Sequence, residues 1–197
     1  MVGFDSLALL TDDQLAAFAN RGYRFAGAYL EVLTAEYVSA CFDLDLAILL
    51  LSEARVSNLS AQLGASSALQ ELARCHALGV PAGVNVDIDF EDFTGPPEVG
   101  CEYIDAFAAG LVQGAQPPIL YVASPQPLSG AQLAARPNIH LYHSGASDNP
   151  DLVGIGYSIF QLLPTNFKPA WGQGATVDLD IISRDRRGRI PMLWFPS

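Results

Sequence analysis

Short apolar runs alternate with amphipathic stretches along the whole chain, and this pattern predicts strands and helices in regular succession. The most apolar run covers residues 46–52. A strand without polar positions is typical of a parallel sheet that is covered on both faces. The eight predicted strands lie at residues 3–5, 23–30, 46–52, 83–89, 119–123, 139–143, 157–162 and 177–182.

Capping signals place helices between these strands. Thr11 and Gln14 have the spacing of a capping box, which predicts a helix that ends near Asn20. The predicted helices are therefore 11–20, 34–42, 60–78, 97–111 and 129–135. The longest of them is expected to bury one face that carries Leu63, Leu69, Leu72 and Ala73.

Eight strand segments joined by crossovers predict an α/β fold with a parallel sheet. The count of eight favours a closed, compact TIM-like (β/α)8 barrel, with an open doubly wound sheet as the alternative. The 197 residues fit a single domain over 1–197, yet they are fewer than the ~250 usual for this barrel. Several helices must therefore be short or missing, and 145–156 and 164–174 carry little helical pattern.

The charge balance narrows the possible partners. With 21 acidic and 10 basic residues the net charge is −11, which argues against a nucleic-acid partner. Four arginines near the C-terminus are interrupted by Asp185 and predict a solvated loop; they are Arg184, Arg186, Arg187 and Arg189. No apolar run approaches the ~20 residues that span a bilayer.

The first residues lack the charged and apolar regions of a signal peptide. We therefore expect synthesis in the cytosol, followed by incorporation into a virion or by export along another route. The oligomeric state is left open.

Cysteine and histidine positions predict neither a disulfide framework nor a metal site. Cys41, Cys75 and Cys101 are far apart and odd in number, which is typical of buried, reduced thiols. His140 and His143 are three residues apart on a strand, so they face opposite sides and do not chelate one metal ion together. Phosphate-loop, dinucleotide-loop and nucleophile-elbow motifs are also absent from the sequence, and no cofactor is predicted.

Polar side chains recur where the predicted strands end. In parallel α/β folds ligands bind at the carboxyl ends of the strands, so these side chains predict an acidic cleft on one rim of the barrel. They are Asp5, Glu31, Glu53, Asp87, Asp89, His143, Gln161 and Asp178. Four aromatic residues are candidates for sugar stacking or, equally, for core packing: Tyr29, Tyr121, Tyr157 and Trp171.

The highest density of acids is at Asp87-Ile88-Asp89. Residues two apart on a strand share a face, which places the two carboxylates about 6–7 Å apart along it. Two carboxylates in a low-dielectric mouth do not both ionise easily, so one stays protonated and the other remains an anion. Glycosidic bond cleavage needs this division. The alternative is that the two acids cap the next loop or bind a cation with Glu91.

Five short motifs follow one another in a set order: GFD at 3–5, GYRFAGAYL at 22–30, LGVPAG at 78–83, VDIDF at 86–90 and VDLD at 177–180. In order and spacing they resemble the glycoside-hydrolase-like barrels catalogued as domain of unknown function 1906. Those barrels are distant relatives of the family 25 muramidases, lysozymes that cleave bacterial cell-wall glycan. The resemblance covers most of the chain, to about Ile182.

The resemblance implies that Asp89 stands at the position of the general acid. Asp87 would be its carboxylate partner, which stabilises positive charge or orients an acetamido group. The residues predicted to bind substrate are Asp5, Tyr29, Glu53, Gln161 and Asp178.

Three functions follow as hypotheses. The first is a muramidase-like glycoside hydrolase that acts on peptidoglycan. Asp89 is one methylene shorter than the Glu of the muramidases, so the second is a weak or inactive glycan-binding or structural module, for instance of a phage particle or a cell-surface assembly. The third, a metal-dependent hydrolase with the same acids as ligands, is disfavoured by the shortage of well-placed histidines.

Overall fold

A computed structural model describes residues 1–53, 58–91, 93–123 and 127–196. Its eight strands form a closed barrel in the order of the chain. They are β1 (Val2–Ser6), β2 (Phe25–Tyr29), β3 (Ala47–Glu53), β4 (Val86–Phe90), β5 (Pro118–Val122), β6 (Leu141–Ser144), β7 (Ile159–Phe167) and β8 (Val177–Ile182). The closed barrel confirms the predicted α/β TIM-like fold and excludes the open doubly wound sheet.

Helices occupy the first five connections between strands. They are α1 (Asp12–Ala19), α2 (Ala35–Asp43), α3 (Ala61–Leu78), α4 (Pro97–Gln113) and α5 (Gly130–Ala134). Four of them begin where the sequence predicts, because the side chains of Thr11, Thr34, Ser60 and Ser129 each accept a hydrogen bond from the backbone N–H three residues later. The connections 145–158 and 168–176, both described throughout, contain no helix, as their weak helical pattern predicts.

The last strand runs against the others. Strands β1 to β7 pair in parallel, whereas β8 is antiparallel to both β7 and β1. This corrects the expectation of eight parallel strands. Because no helix returns the chain to the other end of the barrel, β7 and β8 form a hairpin, and β8 begins at the end where β7 finishes. Asp178 therefore lies near the start of its strand, in register with Asp5.

Apolar side chains fill the barrel interior at the end opposite this hairpin. They are Phe25, Ala47, Leu49, Leu51, Ile119, Leu141, Ile159, Ile182 and Leu193. Leu193 comes from the segment after β8, which crosses the barrel end where the parallel strands begin; there Trp194 pairs with Ile48, and the Met192 N–H donates to Oδ1 of Asn85. The C-terminal segment thus closes one end of the barrel and leaves the other end open.

Helices α3 and α4 pack against each other through small residues. A Cβ on Gly64 would lie 2.3 Å from the carbonyl oxygen of Tyr103, so the two backbones approach more closely than any side chain would allow. The buried face of α3 includes Gly64, Ala68 and Cys75. The expectation that Leu69 and Ala73 belong to this face is wrong, since Leu69 is 68% exposed and Ala73 is exposed as well.

The three cysteines are free thiols. Cys41 and Cys75 are buried, as predicted, and Cys101 is half-buried. Burial raises the pKa of both buried thiols to about 12, which keeps them protonated and unreactive.

The C-terminal arginines lie in the loop that follows β8. Asp185 is buried and accepts hydrogen bonds from the backbone N–H groups of Arg187 and Arg189 and from the Arg189 side chain. Arg186 pairs with Asp151. These contacts shape the loop itself. Separately, none of the helices in the described ranges is long and apolar enough to cross a membrane.

Candidate functional site

An open pocket of about 460 Å³ lies at the mouth of the barrel, where the parallel strands end. Six of the seven predicted site residues line it: Asp5, Tyr29, Asp87, Asp89, Gln161 and Asp178. Glu53 does not line the pocket, and its side chain is exposed at the end of β3. The acidic cleft is therefore where the strand-end pattern predicts it, and the chemical role of each residue stays a prediction.

The two acids of β4 share the inner face of the barrel but have different surroundings. Asp87 has no exposed surface, and its Oδ2 lies 2.7 Å from Nδ1 of His143. Asp89 lies two residues nearer the mouth and accepts a hydrogen bond of 2.8 Å from the Tyr29 hydroxyl. Burial raises the pKa of Asp87, while the neighbouring His143 lowers it. Both acids thus line the pocket, Asp87 at its inner end against His143 and Asp89 nearer the mouth.

His143 connects acids from two strands. Its Nδ1 faces Asp87 on β4, and its Nε2 lies 3.3 Å from Oδ1 of Asp180 on β8. Burial by itself would lower the pKa of this imidazole, but the charges and hydrogen bonds of Asp87 and Asp180 outweigh burial and raise the pKa to about 10. The ring also packs edge-to-face on Tyr121, with 4.8 Å between ring centroids.

Asp5 and Asp180 form a carboxyl–carboxyl contact at the floor of the pocket. Burial, followed by the charge and hydrogen bond of Asp180, holds the pKa of Asp5 well above its usual range. Gly27 makes this position available, because a Cβ there would lie 2.5 Å from the Cβ of Asp5.

The opposite wall comes from β7 and β8. Gln161 donates from Nε2 to Oδ2 of Asp178 across 2.9 Å, and its Oε1 accepts from the Tyr121 hydroxyl and from the Ala146 N–H, each at 3.0 Å. The backbone N–H of Asn166 donates to the other oxygen of Asp178. Burial raises the pKa of Asp178, and the bond from Asn166 partly offsets this. These bonds hold the Gln161 amide in one orientation.

The four aromatic candidates divide into two pairs. Tyr29 and Tyr121 line the pocket. Tyr157 instead donates its hydroxyl to the carbonyl of Pro150, and Trp171 packs against Phe18. Core packing and loop anchoring therefore account for Tyr157 and Trp171.

Two features of the site were not predicted from the sequence. They are the presence of Asp180 and the contacts of His143 with two carboxylates. The sequence predicts His143 as one of the polar residues at the strand ends but gives it no partner, and Asp180 occurs there only within its motif. A usable signal was present, because Asp178 and Asp180 are two apart on one strand and therefore face the same way. Within the described ranges, no group of three His, Cys, Asp or Glu side chains is placed to hold a metal ion.

The pocket lining determines which ligands it favours. Five lining residues are carboxylic acids, and the described lining residues include no Lys or Arg. Hydroxyl and amide groups contribute most of the remaining polar surface, among them Ser6, Thr165 and Asn166. Such a surface repels polyanions and offers hydrogen bonds to an uncharged, hydroxyl-rich ligand.

No protein-family model and no curated protein matches the sequence. Solved structures match the fold. An uncharacterised protein from B. stearothermophilus has a TM-score of 0.76 at 18% identity over 93% of this chain and 96% of that chain. The Tat-secreted protein Rv2525c of Mycobacterium tuberculosis, solved with L-tartrate, has a TM-score of 0.70 at 12% identity, covering 93% and 95%.

A third similar structure is the spore cortex lytic enzyme SleM of Clostridium perfringens, with a TM-score of 0.62 at 14% identity over 92% of this chain and 67% of that chain. At these identities the similarity shows the fold alone. This chain therefore shares the TIM-like barrel fold of these proteins.

Proposed function

We propose that the protein is a glycoside hydrolase that cleaves bacterial cell-wall glycan, with Asp89 as the general acid and Asp87 as its carboxylate partner. The observation that carries this proposal is the division between the two acids of β4. Asp87 has no exposed surface and contacts His143, whereas Asp89 lies nearer the mouth and contacts Tyr29. In glycoside hydrolysis, different environments give the two carboxyl groups different pKa values, so one serves as the acid and the other as the anion.

In the proposed reaction the glycosidic oxygen lies beside Asp89. The hydroxyl of Tyr29 donates to Oδ2 of Asp89 and orients the carboxyl, which carries the transferable proton. As the glycosidic bond breaks, Asp89 gives this proton to the leaving oxygen, and the negative charge of Asp87 stabilises the cationic sugar ring. Water then adds to the anomeric carbon, and its proton returns to Asp89.

Two observations support cell-wall glycan as the substrate class. The motif order resembles that of barrels related to muramidases, and the fold is shared with an enzyme whose name describes lysis of spore cortex. The pocket offers hydrogen bonds to sugar hydroxyls, and the fixed amide of Gln161 is placed to bind a hydroxyl or an acetamido group.

A glycan-binding module without hydrolysis is the second candidate. The observation that favours it is the length of Asp89, whose carboxyl is set back by one methylene relative to a Glu at the same position. A displacement of about 1 Å in a catalytic group is enough to cost ~100-fold in rate.

The test is the release of reducing ends from a peptidoglycan suspension, recorded with its loss of turbidity. We expect wild-type protein to release them and Asp89→Asn to be at least ~100-fold slower, since general acid catalysis contributes 10²–10⁴-fold. Asp148→Asn, at an exposed loop position outside the pocket, is the control and should match wild type. Sedimentation of the protein with cell walls, without release of reducing ends, would establish the binding module instead. The absence of both sedimentation and reducing ends would contradict both functions.

A further inference from the structure

Both ring nitrogens of His143 face carboxylate oxygens, at 2.7 Å from Asp87 and 3.3 Å from Asp180. An ionised carboxylate only accepts hydrogen bonds, and a neutral imidazole has a single N–H to donate. A ring that carries a proton on each nitrogen donates one hydrogen bond to each of the two carboxylates. Neither acid has any exposed surface, so a cation between them compensates charges that water does not reach.

We propose that His143 is a fixed imidazolium, a positioning residue that keeps Asp87 an anion and leaves proton transfer to Asp89. The catalytic part of this inference rests on the proposed function. The charge of the ring does not, because it is inferred from the two carboxylate contacts alone.

The groups around the ring leave His143 with no competing cation. The titratable groups that contact it or line the same pocket are Asp5 from β1, Tyr29 from β2, Asp87 and Asp89 from β4, Glu91 just after β4, Tyr121 from β5, and Asp178 and Asp180 from β8. All of them are acids, and burial, followed by the charge of Asp180, raises the pKa of Asp5. Among the described residues that line the pocket, His143 is thus the one basic group.

Without this cation the two acids of β4 would no longer differ in charge, because Asp87 could become protonated like Asp89. Without His143, Asp87 and Asp180 would be buried carboxylates with no counter-ion, and one of them would take up a proton in mildly acidic solution. A protonated Asp87 no longer stabilises positive charge on the sugar ring. His143 would therefore act on the reaction through Asp87 without touching the substrate.

The first test measures the charge of the ring in wild-type protein. Nitrogen-15 NMR of histidine-labelled protein resolves the protonation of each imidazole, with His143→Gln used to assign its signals. The exposed His76 and His140 serve as internal references. We expect both nitrogens of His143 to stay protonated from pH 6 to about pH 8.5. A neutral ring with one protonated nitrogen at pH 7 would overturn the proposal.

The second test is the pH dependence of kcat/KM on peptidoglycan for His143→Gln, with His140→Gln as the matched control. We expect the acid limb of His143→Gln to move to higher pH by about one unit or more, since a charged partner this close shifts a carboxyl pKa by 1–3 units. His140→Gln should keep the wild-type profile. A lower rate with an unshifted profile would show a purely structural role and contradict the proposal.

The two tests separate this inference from the proposed function. If wild-type protein cleaves no glycan, the proposed function fails, and the NMR titration still decides the charge of His143. If His143→Gln does not fold, the same titration on wild type remains decisive.

Discussion

Tyr29 donates its hydroxyl hydrogen to Oδ2 of Asp89 across the barrel mouth, over a distance of 2.8 Å. The two residues belong to β2 and β4, so the bond spans the intervening strand β3, where Leu51 pairs with both strands. A hydrogen bond that bridges non-adjacent strands holds the Asp89 carboxyl independently of its own backbone.

Removal of this hydroxyl should therefore impair the reaction more than the fold. Asp89 becomes a carboxylate as it gives up its proton, and a hydrogen bond to a charged group contributes about 1.5–3 kcal/mol, so Tyr29→Phe is expected to lower kcat/KM on cell-wall glycan by about 10- to 100-fold. The matched control is Tyr157→Phe, which loses a hydroxyl bonded to Pro150 outside the pocket. The control should keep its activity and lose about 1 kcal/mol of stability. Equal activity losses in both variants would contradict the assigned role.

Stability should fall as the pH rises. The folded state raises the pKa values of Asp5, Asp87 and His143, so it binds protons more tightly than the unfolded chain. The stability that Asp5 contributes begins to be lost as the pH rises above its usual pKa of 3.8. The contribution of His143 is lost as the pH rises from 6.5 to about 10. We expect the free energy of unfolding to decline from pH 5 to pH 10, by up to about 1.4 kcal/mol per pH unit for each proton.

Urea unfolding at several pH values measures this decline. Asp5→Asn imitates the protonated carboxyl, so it should be more stable than wild type at pH 8 and should show a shallower decline. Asp148→Asn, in an exposed loop, should follow the wild-type curve. A stability maximum in alkaline solution would refute the explanation.

The C-terminal segment should be essential to the barrel. Leu193 is 3% exposed inside the barrel end, whereas its neighbour Met192 is 56% exposed. Leu193→Ala leaves a cavity and is expected to cost about 2–5 kcal/mol, whereas Met192→Ala should stay within about 0.5 kcal/mol. Urea unfolding of the two variants decides the point. Similar small losses would mean that the segment does not close the barrel.

Much of the fold could be predicted because its signals are local. Thr11, Thr34 and Ser60 cap helices within a few residues of themselves, and the apolar run of β3 indicates burial without reference to its neighbours. Strand direction is not a local signal, since alternation is the same in either direction. The missing helix between Phe167 and Val177 was the available cue for a hairpin, because a parallel crossover usually contains one.

The candidate site was predictable as a location and less so as a network. Strand periodicity places Asp87 and Asp89 on one face, and both line the pocket. The contact between His143 and Asp180 depends on the curvature of the closed barrel, which brings β4, β6 and β8 around one imidazole. The prediction for Leu69 was wrong because it too depended on tertiary packing. Helices α3 and α4 approach closely, so glycine and alanine occupy the contact face of α3 and the larger Leu69 side chain is exposed.

The reversed strand also determines where this barrel can vary. A connection that carries a helix is tied to both ends of the barrel, whereas the hairpin between β7 and β8 is tied to one. Thr165, Asn166 and Thr176 of this hairpin form part of the pocket wall. Residues inserted at its tip would lengthen that wall at a small entropic cost and without repacking any helix. The hairpin is thus the position at which related barrels could acquire new ligand preferences while retaining the same buried acids.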